Sequence, residues 1–390
     1  MAVEHAFAGS AHATPDAVLA KAVARLSDLY TTDRARLSRE QADAAHLAAK
    51  REYFLASDAP KVALALDECT LRSQAFARLS SLACVRVADL GAGVGATSVG
   101  FLAWLAGARA ARGTETQMCV AFHAVELGAP AARVYEDAVR TAAAAIGVDV
   151  TITIEARDFR SATLGEFDLI LCQTALNEFL GEGVTSERHA ATTVALVTDW
   201  ALRAPLLVIE PALRTTTRAL MALRDDVLAP REMLAPSELH PPSELHPPRG
   251  FHIVAPCPHQ GRCPMLARAG DWCHEARRVD PTPRVAAIDR IVGRRDERAL
   301  FAFLATAPGA APVKNSAPYV RVVTDTLGSR GKTERLVCRS DGELRLMRLL
   351  DRETSDSNRA FLESERGAML AIEPMPANDR ISPAAVVGAV

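Results

Sequence analysis

The chain has 390 residues, 49% of them apolar and 24% charged, with 45 basic against 47 acidic side chains and a formal net charge of -2. This length exceeds one minimal domain, and the absence of any run of about 18 apolar residues argues against a membrane span. The first ten residues include Glu4 and carry neither a secretory nor a transit pattern, so a cytoplasmic protein of two or three units is expected.

From Pro15 to about Leu82 the pattern is helical, with Val18, Leu19, Val23, Leu26 and Leu29 recurring at three-to-four spacing after a helix-start signal at Thr14 and Pro15. This predicts a helical N-terminal cap over residues 1–83. Strands and helices then alternate, the signature of a parallel sheet covered on both faces. The expected strands are Val85–Leu90, Met118–Val125, Val150–Ala156, Phe167–Cys172 and Pro205–Glu210, and the expected helices are Ala96–Ala110, Ala129–Ile146, Glu187–Arg203 and Thr215–Leu228. A proline-dense loop follows, in which a six-residue unit at 236–241 is repeated at 242–247 and brings His240 and His246 with it. Two further strands, Gly250–Ala255 and Ala299–Ala305, bracket a cysteine-rich segment, and short strands past Pro318 predict a small β domain over 313–390.

The turn after the first strand reads Asp89-Leu90-Gly91-Ala92-Gly93-Val94-Gly95. Such glycines let the backbone turn tightly and approach a ligand closely, with a helix N-terminus facing it. Gly91, Gly93 and Ala96 also satisfy the dinucleotide pattern, but that pattern wants its acid about 20 residues on, whereas Glu126 ends the next strand 35 residues after Gly91. A ligand with an amino group and a sulfonium but no phosphate suits these acids better. The turn therefore predicts a class I S-adenosylmethionine-binding α/β domain over 84–312, with a Rossmann-like sheet. Asp89 would serve the amino-acid end of the donor, Glu126 the ribose hydroxyls and Asp158 the adenine amino group, the last with a turn or cap role as its alternative. The fourth strand ends in Gln173-Thr174-Ala175-Leu176-Asn177-Glu178-Phe179, without the acid-or-amide-Pro-Pro-aromatic run of many amino-group methyltransferases. Asn177 is kept as a binding candidate, and no catalytic residue is assigned.

Four cysteines, Cys69, Cys84, Cys119 and Cys172, stand singly in apolar stretches and read as buried hydrophobes. Cys257, Cys263 and Cys273 crowd with His259 and His274 into a Pro-rich insertion at 255–280, where a metal is favoured over a disulfide in a cytosolic chain. Their spacings of five and nine intervening residues fit zinc poorly, and Cys338 would supply a fourth thiolate. An iron-sulfur cluster is the better expectation, with zinc as the alternative and the two histidines as runner-up ligands. From Arg249 to Arg352 there are 17 Arg and 2 Lys against 11 acids, a local +8 that suggests a polyanionic partner such as RNA, or else only a solvated Arg-rich surface.

The order of glycine turn, Ile209-Glu210-Pro211, Gly250-Phe251, then Pro256-Cys257-Pro258-His259, Cys263-Pro264 and Trp272-Cys273-His274 resembles the methyltransferase-like iron-sulfur family associated with the small ribosomal subunit, which includes methyltransferase-like protein seventeen. The resemblance covers most of the chain from about residue 20. It departs at Ala212-Leu213 and Glu275 and lacks the relatives' closing Trp-Gly-Asp. It implies a seven-stranded methyltransferase domain that binds S-adenosyl-L-methionine at Gly91, Gly93 and Gly95, a 4Fe-4S cluster on Cys257, Cys263, Cys273 and Cys338, and a role in assembly or translation at the small ribosomal subunit or its rRNA. The alternatives are a non-catalytic assembly factor with a structural donor and cluster, and a small-molecule methyltransferase with a structural zinc.

Overall fold

The structure, a computed structural model, describes residues 14–32, 44–113, 118–177, 187–229, 250–294, 297–311 and 319–390. The repeated loop at 236–247 and Glu178 with Phe179 lie outside the described residues. Among the described residues no helix is long and apolar enough to cross a membrane.

The N-terminal region is helical as its periodicity predicts. It comprises α1 (Asp16–Thr32), α2 (Ala44–Ala49), a π-helical turn at Lys50–Phe54, α3 (Leu55–Arg72) and α4 (Gln74–Ala77). Leu19, Val23, Leu26 and Leu29 of α1 are buried together with Tyr53, Ala56 and, from far along the chain, Val285 and Ile288. Val18, expected on that stripe, is 54% exposed on the other side of the helix. α3 leaves this bundle and packs on the helix after the glycine turn, sharing a core with it through Val62, Leu66 and Cys69.

The main sheet contains β1 (Cys84–Leu90), β2 (Met118–Val125), β3 (Val148–Glu155), β4 (Leu169–Gln173), β5 (Leu206–Pro211), β6 (Phe251–Ala255), β7 (Glu275–Arg278) and β8 (Arg298–Pro308). Its order is β3-β2-β1-β4-β5-β8-β6, and β7 also pairs with β8. The first five strands in that order run parallel; α5 (Ala96–Ala111) links β1 to β2, α6 (Ala129–Ala145) links β2 to β3 and α7 (Glu187–Arg203) links β4 to β5, while α8 (Arg214–Leu228) follows β5 on the way to β6. β8 runs antiparallel to both β5 and β6. Burial on both faces accounts for the nearly continuous apolar runs of β1, β4 and β5.

Two elements go beyond those expected. β7 reads Glu-Ala-Arg-Arg and has no apolar alternation, and its pairing is supplied by β8. α9 (Pro283–Val292) is capped by the Thr282 hydroxyl, which accepts from the Val285 N–H at 3.3 Å, so Thr282-Pro283 was a legible start signal. β6 and β7 share one edge of β8: Ala255 pairs with Ala305, and Glu275 with Phe301. The cysteine-bearing residues 256–274 are thus an excursion from a nearly continuous edge.

A second, antiparallel sheet is built from β9 (Tyr319–Val322), β10 (Leu327–Ser329), β11 (Lys332–Arg339), β12 (Leu344–Leu350), β13 (Met369–Glu373) and β14 (Val386–Ala389), with the short α10 (Arg359–Glu363) alongside. Strand alternation divides its side chains. Val320, Val322, Val337, Met347, Leu349, Leu370 and Ile372 form a core with Phe361, whereas Cys338 joins Leu336 and Leu344 in a separate cluster with Met221, Met265, Cys263, Trp272 and Cys273.

The expectation that Cys84 and Cys119 are solitary buried hydrophobes is corrected. The parallel register of β1 and β2 sets them opposite each other, and they form a disulfide at the exposed start of β1. Cys69 and Cys172 are fully buried in apolar surroundings and form no disulfide, as expected.

Gly100 of α5 allows the close approach of α3, because a Cβ there would stand 2.3 Å from the Ala59 carbonyl oxygen and 2.9 Å from Val62 Cβ. Gly100→Ala gains up to about 1 kcal/mol of helix propensity but overpacks a backbone contact, at about 1–3 kcal/mol. The variant should unfold at lower urea concentration than the parent, and an unchanged or raised midpoint would show that the two helices part without cost.

Candidate functional sites

The glycine turn follows β1 directly. Gly91, Gly93 and Gly95 all have positive φ (71°, 53° and 97°), which favours glycine over residues with a side chain. Their surroundings differ. A Cβ on Gly91 would collide with Ala175 Cβ at 2.5 Å, and one on Gly95 would press on Tyr135, but one on Gly93 would meet nothing nearer than the Gly91 oxygen at 4.0 Å. Gly91 therefore serves packing against the segment after β4, while Gly93 borders open space at the head of α5.

Each acid expected here can now be placed. Glu126, at the end of β2, accepts from Gly93 N at 2.9 Å through one oxygen and from Gly128 N at 2.8 Å through the other. It clamps the two strand-end turns together beside the open side of Gly93. Asp89 is fully buried, and its Oδ2 accepts from Ser98 Oγ at 2.6 Å, which in turn contacts Tyr135 OH at 2.7 Å, whereas Oδ1 has no partner. Burial pushes the Asp89 carboxyl up to about 7; the Ser98 hydrogen bond opposes that shift and the charge of Glu126 adds to it. Ser98 and Tyr135 were not anticipated.

Asp158 has a different local task. It caps the 3-10 turn Phe159–Ser161 by accepting from Arg160 N at 2.9 Å, and both its oxygens also engage the Arg160 side chain, which holds the carboxyl below its ordinary range. The carboxylate expected at adenine thus has the cap contacts given as its alternative. Asn177 is 3% exposed, and its backbone N–H donates to Glu210 of β5 at 3.2 Å. Gln173 is buried too, accepting from Thr97 Oγ1 at 3.2 Å and donating to the Asp58 carbonyl of α3 at 3.1 Å. Between them Thr174 has φ 54°, a left-handed conformation uncommon outside glycine and one that clusters at functional sites.

The second site is a partly open pocket lined by Cys257, Cys263, Cys273 and Cys338 together with apolar residues such as Met221, Met265 and Phe303. All four predicted thiols thus face one space, although three lie on the excursion and the fourth on β11. Backbone pinning from outside holds the loop in place. Arg224, 3% exposed, donates to the carbonyls of His259 and Gly261; Arg218 donates to those of Arg268 and Asp271; Asp225 accepts Cys263 N at 2.9 Å.

Arg321 lies beneath the loop. β9 pairs with β11 so that Arg321 is the register partner of Cys338. This guanidinium is 1% exposed; it contacts both oxygens of Glu68 on α3, Glu275 of β7 at 2.7 Å and the Pro256 carbonyl at 3.0 Å. Arg72 adds bonds to Glu68 and to the carbonyls of Pro256 and Cys257, and Arg277 ties Glu68 and Glu275 to the Gly367 carbonyl.

Whether these residues suit a metal centre is a matter of donor chemistry. Burial first, and the neighbouring thiols second, push Cys263 up to about 11 and raise Cys273 and Cys338, so these thiols are held neutral, and a soft metal would displace their protons. The hydroxyl of Thr217, fully buried and without a partner, belongs to the same cavity wall. Among the described residues no three His, Cys, Asp or Glu groups are arranged to hold a single metal ion. His274 stacks on Trp272 and contacts Arg366, and His259 contacts Cys338; neither histidine is among the residues lining the cavity.

Many arginines of the basic segment are engaged internally: Arg277, Arg284, Arg298, Arg321, Arg339 and Arg345 all form ion pairs. Arg262, Arg268, Arg330, Arg348 and Arg352 are exposed.

A parallel 3-2-1-4-5 run closed by an antiparallel strand next to the sixth, with a glycine turn after the first strand, defines a class I S-adenosylmethionine-dependent methyltransferase fold. Residues 149–360 match the family described as mitochondrial small ribosomal subunit Rsm22, and the chain belongs to that family. No curated protein matches it in sequence. Similar solved structures include a candidate class I S-adenosylmethionine-dependent methyltransferase from Listeria monocytogenes (10% identity, 66% of this chain and 61% of that one, TM-score 0.33). Others are an uncharacterised protein from Burkholderia thailandensis (12%, 76% and 96%, TM-score 0.36) and a methyltransferase from Thiobacillus denitrificans in complex with S-adenosyl-L-homocysteine (14%, 63% and 91%, TM-score 0.30).

The raised Asp89 value has a definite sign. The protonated carboxyl favours the folded state fully below about pH 4, and that advantage is lost as pH rises through about 7. Asp89→Asn removes the penalty, so its stability relative to the parent should rise between pH 4 and pH 8, by up to about 3–4 kcal/mol. Urea titrations at both pH values would measure it; a difference independent of pH would place Asp89 in a solvated setting, and one that falls as pH rises would place it in a charge-paired one.

Proposed function

We propose that this protein binds S-adenosyl-L-methionine at the glycine turn, carries a 4Fe-4S cluster on Cys257, Cys263, Cys273 and Cys338, and acts on the small ribosomal subunit or its rRNA. The observation that carries this reading is the gathering of four thiols, three from the β6–β7 excursion and one from β11 of the second sheet, around one pocket in a chain with an open glycine turn. The ribosomal part rests on the family description, and the exposed arginines Arg262, Arg268, Arg330, Arg348 and Arg352 are the candidates for meeting phosphates. Glu126 would exchange its Gly93 contact for the ribose hydroxyls, and Asp89 Oδ1 would receive the donor's amino group. The cluster would tie the excursion to the second sheet.

A second reading, that donor and cluster are structural and no methyl is transferred, is favoured by the burial of Gln173, Asn177 and Glu210 in internal contacts at the strand ends. Methyl transfer to small-subunit RNA from labelled donor separates the two.

Gly93→Val meets no neighbouring side chain but is strained at φ 53°, so it should lower the urea midpoint somewhat and, in the protein that remains folded, lower donor affinity at least tenfold by calorimetry; unchanged affinity would put the donor elsewhere. Protein purified without oxygen should be brown and contain about four irons and four sulfides. Cys338→Ser should lose iron and become more sensitive to protease near β11, whereas Cys172→Ser should keep its iron. A colourless parent with one zinc, or a Cys338→Ser variant with full iron, would contradict the metal or its fourth ligand.

A further inference from the structure

His259 stands outside the cavity wall but touches one of its thiols: its Nε2 lies 3.3 Å from Cys338 Sγ. The ring is 6% exposed, and its own carbonyl is gripped by Arg224 at 2.8 Å. The turn at Gly342 covers it, since a Cβ there would lie 3.7 Å from Nδ1. The imidazole is thus held from the loop side and from the β11–β12 turn, with one nitrogen aimed at a sulfur that belongs to the other sheet.

The chemistry of that contact changes when Cys338 becomes a ligand. A free thiol can donate to Nε2 or accept from it. A metal-bound thiolate carries no proton and can only accept, so a 3.3 Å contact is favourable only with the proton on Nε2. A donor to a ligand sulfur draws electron density from the centre, favours its reduced form and orients the ligand.

We infer that His259 is a positioning residue for the four-thiol centre, donating its Nε2–H to the Cys338 sulfur and thereby raising the centre's reduction potential. This rests on the cluster reading given above. It assigns to His259 an outer hydrogen bond, not a bond to metal, and makes the loop and the second sheet meet through a ligand sulfur as well as through the metal.

The test uses the full chain purified anaerobically as parent, His259→Leu and His259→Gln, with iron analysis and a dye-mediated reductive titration followed by visible absorbance. Leu removes the donor at similar volume, and Gln restores an N–H. All three should hold about four irons, with the Leu variant shifted to lower potential and the Gln variant returned toward the parent. Full iron with an unshifted potential in His259→Leu would overturn the inference, as would equal loss of iron in both variants, which would make His259 a ligand or a packing requirement. A parent without iron would defeat the cluster reading itself, and this inference with it, before any variant is compared.

Discussion

The guanidinium of Arg321 is the interaction on which the arrangement of the molecule depends. A buried charge is tolerated only when its hydrogen-bonding capacity is met and its charge opposed. Glu68 from the N-terminal helices, Glu275 from the edge of the main sheet and the Pro256 carbonyl from the cysteine loop do this together, so three distant stretches converge on one side chain from the second sheet. Such a network contributes less to net stability than to uniqueness, since any other docking of the sheets would strand charges in an apolar interior. Arg72, Arg277 and Arg321 face two carboxylates, Glu68 and Glu275, which leaves a positive excess beneath a cavity of thiols. Thiolates bound there would find their charge already opposed.

At the other end of the sheet, the three glycines divide their duties. Gly91 and Gly95 are small because protein packs against them; Gly93 borders open space and is where a ligand could approach the backbone. Glu126 keeps the Gly93 N–H occupied meanwhile. Asp89 holds a carboxyl whose second oxygen has no partner, tethered through Ser98 to Tyr135 on the neighbouring helix. The turn is preorganised, and its polar groups are only partly satisfied from within.

Local patterns made most of this legible. The alternation of apolar runs, glycine turn and helices announced the first five strands and their crossovers, and the crowding of Cys257, Cys263 and Cys273 marked the metal candidate. Features that depend on register or long-range contact were not legible. Cys84 opposite Cys119, Arg321 beside Cys338, and β7 with its four mostly charged residues exist only because another strand lies alongside. Glu68, Glu275 and Arg321 read as ordinary surface charges in a list of residues, since nothing local says that they are buried. Asp158 shows the reverse case: its contacts with Arg160, two residues on, are local, and a cap there is legible from the residues alone.

The excursion between Ala255 and Glu275 leaves β8 and returns to it only four residues away, yet its cavity is closed by a strand made much later. In a chain synthesised from its N-terminus, folding proceeds largely in that direction. Three thiols are therefore on hand while the fourth wall is still missing, and it arrives only when β11 has been made and laid against β9. The enclosure is thus a record of completion: a chain truncated before Cys338 could build the whole main sheet and still lack one side of its cavity.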